Sequence, residues 1–328
     1  MSAVTLADLG ARLEKASDVF VFTHEVADGD ALGSMVALVL YLRALGKQVH
    51  AFVPGRVQAS YRFLGTDELL NTITEGEAWE VVHSREVTCL SADAADIDRL
   101  AEWKNLFLAG TDRLVVDHHA SNEGFGDAFY VDGTSSSCCE VLLALFTVLG
   151  HGPVDARVAT ALYAGLAADT GSFQYANTTA ASLMHAAQLV ELGASPEDIS
   201  RNVNESRPYS TLKLTAASVM DSRLLYSGQV VLAHVTRRML EEAGCDDEDT
   251  EGVTNELRKI AGTRVVIVLK ESSDGTVKVS LRGKYGFDVK RIALAFGGGG
   301  HVLAAGCTIR GTIQRAEADV LAELDKYI

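Results

Sequence analysis

Asp117, His118 and His119 stand together directly after the apolar run Leu114-Val115-Val116. Two imidazoles and a carboxylate at the carboxyl end of a buried strand pack poorly, but they ligate metal ions well. The arrangement recurs along the chain. His24, Asp28 and Asp30 follow Val19-Phe20-Val21-Phe22, Asp93 follows Val87-Thr88-Cys89-Leu90, and Asp169 ends the helix-like stretch 159–168. Four segments therefore finish in a carboxylate, two of them with histidine, which is the pattern of a two-metal hydrolytic centre.

Each cluster also has a plainer reading. Asp28 or Asp30 could cap the helix that follows. A cap uses one acid, however, and explains neither the second nor His24. Gly29 lets the chain turn between the two acids. Asp93, Asp96 and Asp98 could all be loop acids, and the position right after a buried strand singles out Asp93. An acid at a helix C-terminus opposes the macrodipole, so Asp169 points to a cation nearby.

A second kind of chemistry is written near the C-terminus. Phe296 is followed by Gly297, Gly298, Gly299, Gly300 and His301, between a helix and the strand-like run 305–309. Consecutive glycine amides can approach an anion closely, and His301 adds a donor. Strand alternation puts Ser280 and Arg282 of Ser280-Leu281-Arg282 on one face. Serine and arginine opposite a glycine loop suit a phosphate or a nucleotide.

The elements that must position these residues differ between the halves. In the first, strands at 19–23, 48–53, 87–91 and 113–116 alternate with helix-like segments such as 31–45. This predicts a parallel sheet covered by helices on both faces, with the site outside the strands' carboxyl ends. Residues 136–192 read as mostly helical, and Ser195-Pro196-Glu197 as a fresh helix start. Beyond about 222 come short strands at 224–226, 230–235, 264–269 and 277–281. Asp274-Gly275 serves as a hairpin turn, and helices at 253–260, 289–295 and 313–326 provide cover. The fold class is α/β in two domains.

Bulk properties narrow the function. The 328 residues suffice for two domains. No apolar run reaches the roughly 18 residues of a spanning helix, and Met1–Lys15 lacks a signal-peptide core, so a cytoplasmic protein off the membrane is expected. Five cysteines without C-x-x-C spacing argue against disulfides or a zinc ribbon, and adjacent Cys138-Cys139 read as small buried residues at the start of a helix. A net charge of −15 speaks against long duplex DNA but not against a short nucleotide, because metal ions can supply local positive charge. The acidic run Asp246–Asp249 with Glu251 reads as a solvated loop.

The segments HEVADGD, SADAADIDRL, DHHASN and GLAADTGSF, then SLRGKYG and FGGGGHVLAAG, resemble the DHH–DHHA1 phosphoesterases in family order and over nearly the whole chain. Ala27 stands where relatives often have proline, a difference of loop stiffness. The compact length is most similar to the oligoribonuclease (nanoRNase) and pAp phosphatase group, which includes enzymes that cleave linear and cyclic di-adenylate. The resemblance implies a larger parallel-sheet DHH domain at 1–195, a helical linker at 196–222 and a smaller mixed-sheet DHHA1 domain at 223–328, with the active site in the cleft between the domains. It implies that His24, Asp28 and Asp93 hold one metal, and Asp30, Asp93, His118 and Asp169 the other, Asp93 bridging. Mixed imidazole and carboxylate ligation favours Mn²⁺, two ions per site. Asp117 would orient an imidazole. His119 would act at the scissile phosphate beside Asp93 and His118, while Ser280, Arg282, Gly297, Gly298, Gly299, Gly300 and His301 would grip the nucleotide.

The implied reaction is in-line phosphoester hydrolysis between metals about 3.5–4 Å apart. Its expected substrates are short RNA (nanoRNA, pApA) and 3'-phosphoadenosine 5'-phosphate (pAp), with cyclic di-AMP turnover as the alternative, and a homodimer is expected. RecJ-type exonucleases are longer, and manganese pyrophosphatases share the first half alone. A non-catalytic nucleotide sensor would leave the complete ligand set unexplained.

Overall fold

Val19, Phe20, Val21 and Phe22 form an unbroken apolar run, and only a strand buried on both faces satisfies one. In the computed structural model, which describes residues 2–150, 154–246 and 251–328, that run is the centre of a six-stranded sheet. Its strands are β1 (Ser2–Ala3), β2 (Asp18–Phe22), β3 (Gln48–Phe52), β4 (Thr88–Ala92), β5 (Asp112–Asp117) and β6 (Ala128–Val131). All pairings are parallel, in the order β1-β6-β5-β4-β2-β3. Val19 and Val21 point into one core with Leu90, Leu114 and Val116; Phe20 and Phe22 point into the other with Phe52, Phe107 and Val115. The chain leaves β2 towards β3 and returns on the other side as β4. The switch of direction thus falls between β2 and β4, where parallel sheets open a crevice at their carboxyl ends.

The Gly29–Ala44 helix lies under this crevice. Thirteen of its 16 residues are buried, as expected of a helix that is apolar all round. It packs on the Ala156–Asp169 helix with little space between backbones. A Cβ on Gly33 would come 2.5 Å from the Ala161 carbonyl oxygen, so glycine there sets the approach. On its far side Tyr41 stacks on Phe146 at 3.9 Å and donates a hydrogen bond to the Phe146 carbonyl.

Contacts divide the chain into Met1–Ser206 and Arg207–Ile328. The 196–222 segment is two helices, Pro196–Asn204 with Ser195 as its cap, and Tyr209–Asp221. The second unit has a mixed sheet, β11-β12-β10-β9-β8-β7. Its members are β7 (Arg223–Leu225), β8 (Val230–Val235), β9 (Val265–Glu271), β10 (Thr276–Gly283), β11 (Gly299–His301) and β12 (Ala304–Arg310). Only β8–β9 is parallel. Asp274-Gly275 forms the expected turn, with Gly275 at φ 77° and Asp274 accepting from Thr276. The acidic run lies outside the described residues from Asp247 to Asp249. Among the described residues no helix is long and apolar enough to cross a membrane.

Candidate metal centre

Three parallel strands deliver the first histidines and acids. His24 lies just past β2, Asp93 just past β4, and His118 and His119 just past β5. Asp28, Asp30 and Asp169 come from the ends of the two close-packed helices. Asp28 does cap the Gly29–Ala44 helix, its Oδ1 accepting from the Asp30 and Ala31 amides. Capping therefore accounts for Asp28 and leaves Asp30 and His24 to other work. Asp30 is fully buried. Its carboxylate accepts from the Cys138 and Cys139 amides at 2.5 and 3.0 Å, at the start of the Cys138–Leu149 helix. Adjacent Cys138-Cys139 is thus buried at a helix start, as expected, and contributes its backbone.

Ligand atoms converge in three overlapping sets: His24, Asp28 and Asp93; Asp30, His118 and Asp169; and Asp93, Asp117, His118 and His119. Asp93 joins the first set to the others. Its Oδ2 lies 3.6 Å from His24 Nε2 and its Oδ1 3.5 Å from His118 Nε2. His118 Nε2 is also 3.5 Å from Asp169 Oδ2 and 3.8 Å from Asp30 Oδ2. Asp93 sits at φ 58°, a strained backbone for a non-glycine residue, and its buried Oδ1 has no hydrogen-bond partner among the described residues. Strain at one residue that also carries an orphaned buried oxygen marks a site where a cation fits. The hard oxygen and imidazole donors around it suit a divalent ion.

The electrostatics agree. Burial opposes charge on Asp93, yet His118 and His24 hold its carboxyl well below the usual range. Burial disfavours an imidazolium at His118, but Asp93, Asp30 and Asp169 outweigh it and push the pKa up to about 10. Burial, then Asp93 and Asp169, raise Asp30, and burial pushes Asp169 up to about 6. So many acids in one buried place are what a bound cation would relieve.

Asp117 is fully buried and faces His119. Its Oδ1 accepts from the His118 amide and lies 2.8 Å from His119 Nδ1, while Asn122 donates to its Oδ2. His119 Nδ1 also lies 3.7 Å from Asp93 Oδ1.

Two residues at the centre escape a reading by strand ends. Asn122 ties Asp117 to the Ala94 carbonyl beside Asp93. Arg99 places Nη2 3.1 Å from His24 Nδ1, and its own carbonyl accepts from the Glu25 amide. Only the short spacing of Arg99 from Asp93 hinted at the latter.

The nucleotide-binding candidates lie in the second unit. Ser280 and Arg282 share a face of β10, as alternation requires, with Gly306 of β12 opposite Ser280 and Gly299 of β11 opposite Gly306. The four glycines are a loop only in part. Gly297 turns at φ 71°, whereas Gly299, Gly300 and His301 form edge strand β11. Glycine is required by the close approach to β12: a Cβ on Gly298 would lie 2.2 Å from the Gly306 carbonyl oxygen.

Residues 18–166 match the DHH family, N-terminal domain, and residues 227–328 match the DHHA1 domain. The chain is 31% identical over 294 residues to the bifunctional oligoribonuclease and PAP phosphatase NrnA of Thermus thermophilus, covering 89% of this chain and 84% of that protein. The crystal structure of an exopolyphosphatase-related protein from Bacteroides fragilis superposes with a TM-score of 0.92 at 24% identity, covering 98% of this chain and 96% of the other. RecJ from Thermus thermophilus in complex with Mn²⁺ shares the fold at a TM-score of 0.56 and 18% identity, over 98% of this chain and 55% of that one. With its two-helix crevice, its Asp-His-His corner and a DHHA1 domain later in the sequence, the chain belongs to the DHH family.

Proposed function

We propose that this protein is a manganese-dependent phosphoesterase that hydrolyses short RNA oligonucleotides, such as pApA, to mononucleotides and pAp to AMP. The observation that carries the reading is Asp93, strained, buried and set between His24 and His118 with one oxygen unsatisfied. The Thermus relative's name supports the substrate class.

His24, Asp28 and Asp93 would hold one ion, and Asp30, Asp93, His118 and Asp169 the other. Mn²⁺ suits this mixed donor set better than Mg²⁺, which prefers oxygen alone. Two such ions, when bound, supply Lewis acidity to a phosphoryl oxygen and acidify a water. The protein's own groups do the rest. Asp117 fixes the His119 ring, so that a donor faces the phosphoester or its leaving oxygen. Ser280, Arg282, Gly297, Gly298, Gly299, Gly300 and His301 would hold the nucleotide, Arg282 by charge-assisted hydrogen bonds to phosphate. Exposure of His301 and half-burial of Arg282 leave both within reach of a ligand.

The test is a side-by-side assay with Mn²⁺ on pAp, pApA, cyclic di-AMP and RNA of two to five residues, read by chromatography. Cleavage of pAp and the short RNAs is expected. Action confined to pApA and cyclic di-AMP would move the protein to second-messenger turnover. Asp93→Ala should lose at least about 10³-fold in turnover, and an active Asp93→Ala enzyme would sink the two-metal reading. Arg282→Ala should raise KM with metal binding unchanged.

A further inference from the structure

The sheet of the second unit is covered unevenly. On one face Val277, Val279 and Leu281 of β10 enter a core with the Lys290–Ala295 and Ile313–Leu324 helices. On the other face, Val231, Ala233, Val266 and Val268 of β8 and β9 are covered by Leu214, Leu240, Val253 and Leu257. That cover stops at β10. Lys278, Thr308, Arg310, Gly299 and His301 are exposed on this face, and Ser280, Arg282 and Gly306 are half-buried.

The bare face is basic in an acidic protein. Against a net charge of −15, the same-face positions of β10, β11 and β12 carry Lys278, Arg282, Arg310 and His301 and no acid. Lys278 pairs with Thr308 and Thr276 with Arg310, so Lys278 and Arg310 are diagonal neighbours of like charge. Among the described residues neither is in an ion pair. The acid that feels Lys278, Asp274, is at the hairpin turn with its carboxylate engaged by Thr276. Lysines often guard sheet edges against pairing, but Lys278 stands on β10, which is paired along its length with both β9 and β12. Arg310 lies on the part of β12 that runs beyond β11. Unpaired cations side by side on a flat, glycine-floored strip suit a polyanion.

We propose that Lys278 and Arg310 form an outer phosphate subsite for single-stranded oligonucleotide, continuing the strip that starts at Arg282 and His301. Arg282 is four positions along the strand from Lys278, roughly 13 Å. That span is about two phosphate-to-phosphate steps of a single strand, so the outer pair serves the third and later nucleotides of a chain. This inference rests on the phosphoesterase reading for its inner end. It adds a length preference, set by electrostatics and blind to base identity.

The experiment is fluorescence anisotropy of labelled RNA pentamer and dinucleotide on the full chain, without added metal, across a salt series. Lys278→Gln/Arg310→Gln should weaken the pentamer about tenfold more than the dinucleotide. It should also lower the salt slope for the pentamer by about 0.7 for each phosphate no longer neutralised. Lys278→Arg should retain both, and a circular dichroism melt checks that the variants fold. Equal effects on pentamer and dinucleotide, or an unchanged salt slope, overturn the subsite. Turnover is read separately: a wild-type chain that prefers the pentamer in binding but cleaves neither RNA sinks the phosphoesterase reading and leaves the subsite standing.

Discussion

Gly165 and Asp30 are packed so closely that a Cβ on the glycine would lie 2.8 Å from Asp30 Oδ1, and 2.3 Å from Cys139 Sγ. The glycine lets the Ala156–Asp169 helix press against the acid while the Cys138–Leu149 helix start holds its two oxygens. Gly165→Ala should therefore act on the metal centre through Asp30. Overpacking of this kind costs about 1–3 kcal/mol, or several degrees in a unit this size. Calorimetry should show that loss, and Mn²⁺ titration by electron paramagnetic resonance should show weakened binding. Unaltered metal affinity in a destabilised Gly165→Ala protein would separate the glycine from the site.

Asn122 joins two loops by one amide, donating to Asp117 and to the Ala94 carbonyl and accepting from Gly124. Asn122→Ala leaves a fully buried carboxylate short of a donor, a loss of about 1–3 kcal/mol. Because Asp117 aims His119, turnover should fall by roughly 10–100-fold, the range seen when outer partners of a metal site are removed. Recovery of activity in Asn122→Ser, which can keep one donor, distinguishes orientation from general loosening. A destabilised Asn122→Ala variant with full turnover would rule out the orienting role.

Arg99 bears on His24 in the opposite sense from a usual outer partner. Metal-binding imidazoles ordinarily donate their second nitrogen to an acceptor, whereas here a guanidinium faces Nδ1 at 3.1 Å. A like charge one ring away should cost a cation site on the order of 1–2 kcal/mol, about tenfold in affinity. Arg99→Gln removes the charge and offers an amide oxygen that can accept from Nδ1, and the backbone carbonyl at position 99 continues to hold the Glu25 amide. Isothermal titration should then show one of two Mn²⁺ affinities tightened by about tenfold and the other unmoved. Weakening of that affinity would mean that Arg99 stabilises the His24 loop more than it repels the ion.

The strands that end in ligands are legible because buried parallel strands read as continuous apolar runs, and a histidine or acid just past such a run stands out. Short β1 and β6 are not, since two residues and the four of Ala128–Val131, of which only Ala128 is fully buried, carry too little pattern. The Glu75–Ser84 helix has its signal in a capping box, Thr74 with Glu77, rather than in its apolar spacing. Part of the glycine loop becomes strand because β12 supplies a partner that local sequence does not reveal. Gly165, Asn122 and Arg99 escape for the same reason. Each acts through a residue distant in the chain or around a turn, and single-chain spacing says nothing about which atoms meet.

The His118 shift sets a pH dependence with a definite sign. The acids around it push its pKa up to about 10 from an ordinary 6.5. A raised folded-state value means that the native protein binds more protons between those limits. The stabilisation is therefore complete below about pH 6.5 and is lost as pH rises towards 10. Mn²⁺ needs the imidazole without its proton, so its binding strengthens over the same interval. Chelator-treated protein should melt at progressively lower temperature from pH 6.5 to 8.5, while the increment in Tm on adding Mn²⁺ grows. His118→Gln should flatten the first trend and abolish most of the second. If the chelated wild type and His118→Gln show the same pH dependence, His118 does not exchange a proton for the metal.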